Sequence, residues 1–100
     1  MKYNKLVRDN IPKIIEAKGE TCLFHVANAE EYWQKLKEKL REEIEEFIEA
    51  ENIEELADVF EVINAIQTVK KFDSEELLRV MKQKADMRGR FFDRIILEES

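Results

Sequence analysis

Between residues 29 and 50 the apolar side chains recur at helical spacing. Trp33, Leu36, Leu40, Ile44, Phe47 and Ile48 form one stripe at about 100° per residue. Asn28 and Glu31 have the spacing of a capping box at its start, so the pattern predicts a long helix over 29–50. Asn52 and Glu55 repeat the signal and open a third helix running to about residue 71. There Leu56, Val59, Phe60, Val62, Ile63, Ala65, Ile66 and Val69 cover nearly the whole circumference, the pattern of a buried helix. Asp73 or Ser74 caps a fourth helix, SEELLRVMKQKADMR, which Gly89 stops.

The ends of the chain read differently. Ile11 precedes a proline and is biased away from the α region, whereas Pro12 suits a first helical position and Gly19 a C-terminal stop. A short helix over 12–18 is predicted. ETCLFHVAN has β-branched and aromatic residues without helical spacing, so 21–27 is predicted as a strand. The tail FFDRIIL is predicted as a second strand able to pair with it. The expected fold is mainly α: a helical bundle of four helices with a small β element from the two chain ends, completed by oligomerisation. Oligomerisation is expected because a 100-residue protomer has few other helices to cover the third one.

Length sets a single domain, residues 1–100. MKYNKLVRDN has no apolar run, and eighteen apolar residues never follow one another, so neither a signal peptide nor a membrane span is expected. Cys22 is the one cysteine, which suits a packed thiol in a reduced, cytoplasmic setting. His25, also single, reads as a surface or packed side chain rather than a ligand. Trp33 is at core spacing, although its place near the helix start would also let it border a base pocket.

Charge changes the picture. The net charge of -6 disfavours a nucleic-acid polymer as partner. Residues 41–61 carry ten carboxylates against Arg41 alone, while Lys2, Lys5, Arg8, Lys13, Lys82, Lys84, Arg88, Arg90 and Arg94 collect towards the ends. Not all these acids fall on wet faces. Glu43 projects within the apolar stripe of the second helix and Glu46 on its margin, whereas Glu45 and Glu49 point to solvent. Glu55 and Asp58 interrupt the apolar surface of the third helix. Glu55 has a second reading as the capping-box partner of Asn52. Asp58 has none, and a mid-helix Asp is a poor helix former.

Buried carboxylates are costly unless paired or bound to a cation. Acids at i and i+3 lie about 5–6 Å apart at Cβ. Glu43/Glu46 facing Glu55/Asp58 would therefore make an all-oxygen cage suited to Mg²⁺, with Mn²⁺ as a substitute.

EEIEE followed by EELAD resembles the EExxE and ExxD pattern of the MazG-like, all-α nucleoside triphosphate pyrophosphohydrolases, matching at Glu42, Glu43, Glu46, Glu55 and Asp58. YNKLVRDNIPKII and RGRFFDRIIL are similar to the ends of the small phosphoribosyl-ATP pyrophosphohydrolase-like branch, so the resemblance covers nearly the whole chain. It departs at RGRF, where a second glycine after Gly89 is expected.

The resemblance implies Mg²⁺-dependent hydrolysis of a nucleotide, including non-standard ones, between the α and β phosphates, giving a monophosphate and pyrophosphate. It implies that Glu43, Glu46, Glu55 and Asp58 hold the metal and that Glu42 orients or deprotonates water. Lys5, Arg8, Lys84 and Arg88 are the candidates for phosphate contacts, since no glycine-rich phosphate loop is present. A homodimer or homotetramer is expected. Two other functions fit the same residues: an acidic helical module that binds a basic partner without catalysis, and a regulatory relative that binds nucleotide without hydrolysing it. Nothing in the residues specifies the base or sugar.

Overall fold

The computed structural model describes residues 4–100. Four helices follow in order: α1 (Ile11–Ala17), α2 (Ala29–Ala50), α3 (Ile53–Lys70) and α4 (Ser74–Arg88). They fall into two compact units, Met1–Val69 and Lys70–Ser100.

The helix boundaries follow from local chemistry. Asn28 accepts the Glu31 amide at 2.9 Å and Asn52 accepts the Glu55 amide at 2.9 Å, each satisfying one orphan donor of a first turn. Asp73 does the same for Glu76 at 3.0 Å. The short α1 ends in a Schellman motif. The Gly19 amide bonds the Glu16 carbonyl at 2.9 Å and the Glu20 amide the Ile15 carbonyl at 3.3 Å, with Gly19 at φ +80. It begins at Ile11, one residue earlier than Pro12 suggested, because proline is tolerated throughout a first turn, where its missing amide has no partner to lose.

In the first unit only Glu51 and Asn52 separate α2 from α3. Glu51 takes the left-handed conformation (φ 53) and its amide bonds the Phe47 carbonyl at 2.8 Å, ending α2 abruptly without a glycine. So short a connection makes the two helices a hairpin. Leu36 (1% exposed), Val59 and Val62 form its apolar core, and Glu43 is buried among the polar residues.

One expectation is corrected. No strand forms among the described residues. The segments 21–27 and 91–97 are irregular, and Leu23, Val26, Phe91 and Ile95 stand exposed. A two-stranded pair is marginal unless a face packs on something else, and within this chain neither segment has such cover. Within this chain α3 is not enclosed. Val59 and Val62 are buried, but Phe60 is 60% exposed, and Ile53, Leu56, Ile63 and Val69 are exposed with it.

The second unit holds α4 and the tail, with Val80 and Ala85 its half-buried positions. No helix among the described residues is long and apolar enough to cross a membrane.

Candidate metal centre

The acids of α2 and the first turns of α3 converge. One carboxylate oxygen from each of Glu43, Glu55 and Asp58 lies within 4.8 Å of the others, and the same holds for Glu42, Glu43 and Glu46. Glu43 belongs to both groups and is the hub. Its neighbours Glu42, Glu55 and Asp58 are half-buried, and Glu46 is exposed at the edge.

The hub is incompletely satisfied. Glu43 Oε1 accepts from Lys39 Nζ at 3.1 Å, but Glu43 Oε2 is buried without a hydrogen-bond partner. Glu55 Oε2 is buried and unpartnered too. This bears on the capping reading of Glu55. Its amide is capped by Asn52, yet among the described hydrogen bonds none returns from its carboxylate to the Asn52 amide. The backbone of Glu55 therefore caps α3 while the side chain turns into the acidic cluster.

Buried oxygens left without donors carry a desolvation penalty, and no hydrogen bond among the described residues offsets it at these two. Hard, oxygen-only donors are of the type that divalent cations such as Mg²⁺ or Mn²⁺ accept, and neither a thiol nor an imidazole joins the two groups. The residues present fit a divalent cation.

Among the described residues three cations pair with the cluster. Lys5 Nζ is 3.2 Å from Glu42 Oε1, Arg8 Nη2 is 2.7 Å from Asp58 Oδ1, and Lys39 also lies 3.7 Å from Glu42 Oε2. Burial pushes the Glu42 carboxyl upward, but the hydrogen bond from Lys5 and the charges of Lys39 and Lys5 outweigh it and hold the group below its ordinary value. Glu46 moves the other way. The hydrogen bond that its protonated form would donate to Glu43 raises it, and burial and the charges of Glu43, Glu42 and Glu55 act in the same direction. Two acids one turn apart thus have opposite proton affinities.

The cluster therefore brings together Glu42, Glu43, Glu46, Glu55, Asp58, Lys5 and Arg8 of the residues singled out in the sequence. Lys84 and Arg88 lie exposed on α4, in the second unit. Glu45 and Glu49 are exposed. Lys39 was missed, although its i,i+3 and i,i+4 spacing to Glu42 and Glu43 is visible in the sequence. His25 pairs with Glu31 at 2.9 Å, and half-buried Cys22 sits 3.9 Å from the Pro12 carbonyl. Half-buried Trp33 has Lys37 Nζ 5.4 Å from its ring centroid.

No protein-family model matches the chain, and no solved structure does. An uncharacterised protein of Mycolicibacterium smegmatis (strain ATCC 700084 / mc(2)155) is 45% identical over 42 residues, which is 42% of this chain and 43% of that protein. The chain thus spans less than half the length of the relative it matches.

Proposed function

We propose that this chain is a Mg²⁺-dependent nucleoside triphosphate pyrophosphohydrolase, cleaving between the α and β phosphates. The observation that carries the reading is the pair of buried, unpartnered oxygens on Glu43 and Glu55, at the centre of a cluster that also resembles the MazG-like acidic pattern.

Glu43, Glu46, Glu55 and Asp58 would hold the cation. When bound, Mg²⁺ would neutralise phosphate charge and make water a better nucleophile. Glu42 stays outside that set, ionised beside Lys5 and Lys39. A carboxylate held below its ordinary value is a weak base but a ready hydrogen-bond acceptor, so its role is to orient the attacking water and accept its proton late. Lys5 and Arg8 supply positive charge at the cluster edge for the phosphates, and Lys84 and Arg88 are proposed to add to it. The charge developing on departing pyrophosphate calls for such cations.

The assembly is proposed to be a homodimer or homotetramer joined through the exposed apolar face of α3, which would also give the apolar segments 21–27 and 91–97 a surface on which to order as the small β element. A cytoplasmic setting is in keeping with the single free thiol.

The test is a screen of standard and modified nucleoside triphosphates with MgCl₂, products being resolved by phosphorus NMR. Monophosphate plus pyrophosphate, without a diphosphate intermediate, is expected. Diphosphate plus orthophosphate as primary products would refute the bond assignment, and no turnover of any nucleotide would refute the enzyme.

A further inference from the structure

Two of the three cations at the acidic cluster come from residues 4–8, a segment without regular secondary structure that precedes α1. Lys5 reaches Glu42 and Arg8 reaches Asp58, across 37 and 50 positions of sequence. Long-range pairings from an irregular segment are not dictated by helix geometry, as that of Lys39 with Glu43 is. They require the segment to lie against the acidic cluster.

The distribution of partners is uneven. Lys5 and Arg8 engage the more exposed carboxylates and are themselves 46% and 60% exposed. The oxygens left unpartnered belong to the deeper acids, Glu43 and Glu55. Exposed ion pairs hold weakly and exchange readily with water or other ions. Asp58 has two roles that conflict, since its carboxylate lies in the group with Glu43 and Glu55 and is also the partner of Arg8. A cation held by that group reduces the negative charge Arg8 sees, so the two compete. Among the described contacts Arg8 bonds Asp58 through Nη2, leaving most of its guanidinium fork available to an oxyanion.

We propose that residues 5–8 form a displaceable counter-ion strap. Arg8 and Lys5 neutralise Asp58 and Glu42 while the site lacks metal. A divalent cation on Glu43, Glu46, Glu55 and Asp58 takes Arg8's partner directly. By its charge beside Glu42 it loosens Lys5, while Lys39 stays with Glu42, so that both strap cations turn to the substrate's phosphates. The strap makes Mg²⁺ and phosphate binding mutually reinforcing: metal frees the two cations, and phosphate captures them before they return. It also keeps the empty site from presenting all its negative charge to solvent. The inference rests on the pyrophosphohydrolase reading for the phosphate half only; competition between strap and metal stands on the geometry.

The experiment is calorimetric titration of the full chain, first with MgCl₂ and then with inorganic pyrophosphate at saturating MgCl₂. Arg8→Ala and Lys5→Ala are compared with the wild type. Lys13→Ala, which removes an exposed α1 cation with no ion pair to the cluster among the described contacts, controls for net charge. The two strap variants are expected to bind Mg²⁺ roughly two- to fivefold more tightly, the range set by exposed ion pairs. They should bind pyrophosphate about tenfold more weakly, as loss of a charge-assisted contact implies. Arg8→Lys should restore wild-type Mg²⁺ affinity but only part of the pyrophosphate affinity, because the fork is lost. In the wild type, the Arg8 Nε resonance should shift on adding MgCl₂ and again on adding pyrophosphate, a readout that needs no variant to fold.

Unchanged or weaker Mg²⁺ binding in both strap variants would overturn the proposal while leaving the metal site intact. Equal effects in Lys13→Ala would overturn it too, because bulk charge would then suffice. A wild type that takes up no Mg²⁺ at millimolar concentration would overturn both the strap and the proposed function. Competition without any pyrophosphate effect would overturn the transfer of the cations to phosphate.

Discussion

Lys39 Nζ lies 3.1 Å from Glu43 Oε1, one turn earlier on α2, and the other oxygen of the same carboxylate has no partner. The ammonium therefore serves only one oxygen of a carboxylate that is almost wholly buried. The remaining oxygen is a buried acceptor without a donor, and Glu55 contributes a second such oxygen to the cluster.

Under the proposed function divalent metal should stabilise the folded chain, because it would bind a site that the unfolded chain does not assemble. At a hundredfold excess over the dissociation constant the gain is about 2.7 kcal/mol, roughly 10 °C or more in Tm for a domain of this size. Lys39→Ala should lower metal-free stability by about 1–3 kcal/mol, since it leaves a buried carboxylate with no donor at all. Its gain on adding MgCl₂ should exceed that of the wild type. Thermal melts in EDTA and in MgCl₂ check both expectations, and identical melts for the wild type would count against the centre.

Glu43→Gln and Asp58→Asn should abolish turnover and Mg²⁺-dependent stabilisation while preserving helical circular dichroism. Each removes a charge from a cluster of like charges, so metal-free stability should hold or rise despite lost function. Glu45→Gln and Glu49→Gln should leave activity within about twofold, because surface substitutions away from special features change energies by only about ±0.5 kcal/mol. Equal loss in all four would mean that the helical faces do not distinguish ligands from surface acids.

Which acids fall within apolar surface and which face solvent was legible in sequence because a helix has a fixed period. Glu43 in the apolar stripe, Asp58 in an apolar surface, and the caps Asn28, Asn52 and Asp73 all follow from residues within a turn or two. What lay beyond local pattern was harder to read. Lys39 escaped notice because an i,i+4 lysine on a charged helix ordinarily signals a solvated pair, and only burial of Glu43 gives it another role. The reach of Lys5 and Arg8 to α2 and α3 depends on tertiary structure. The strands expected at 21–27 and 91–97 failed for a related reason. β-propensity describes how a residue fits a half-buried pleated surface, and Leu23 or Phe91 has no such surface here.

The opposite proton affinities of Glu42 and Glu46 give a pH signature in metal-free buffer. Glu46 lies above the ordinary glutamate value of 4.5, so the folded chain binds its proton more readily than the unfolded chain. Its contribution to stability is fully present below that value and is lost as pH rises through the raised one. Glu42 lies below 4.5, so its contribution is present above that value and is lost as pH falls through the lowered one. Relative to wild type, Glu46→Gln should therefore gain stability as pH rises above 4.5 and then level off. Glu42→Gln should lose relative stability as pH rises through the lowered value and stay less stable above 4.5. Urea midpoints in metal-free buffer from about pH 3 to about pH 8 resolve the two. Parallel curves for both variants would contradict the assignment of partners.

The last prediction concerns assembly. An amphipathic helix on a monomer shows solvent a polar face, but α3 carries apolar residues on nearly every side. Of these, Val59 and Val62 are buried, whereas Phe60, Ile63 and Leu56 face out. Covering this exposed apolar surface would add apolar burial to a protomer whose core is small, which is the basis of the proposed assembly. Phe60 is 60% exposed and lies one residue past buried Val59, so its substitution tests the outer face without opening the inner one. Wild-type protein at micromolar concentration should sediment as more than one protomer, with a Tm that rises with protein concentration. Phe60→Glu should shift the mass towards a single protomer and lower the Tm, because a charge at a covered apolar contact must be desolvated. A wild-type chain that sediments as one protomer, with a Tm independent of concentration, would show that α3 leaves its apolar face in water and that the protomer is stable without a partner.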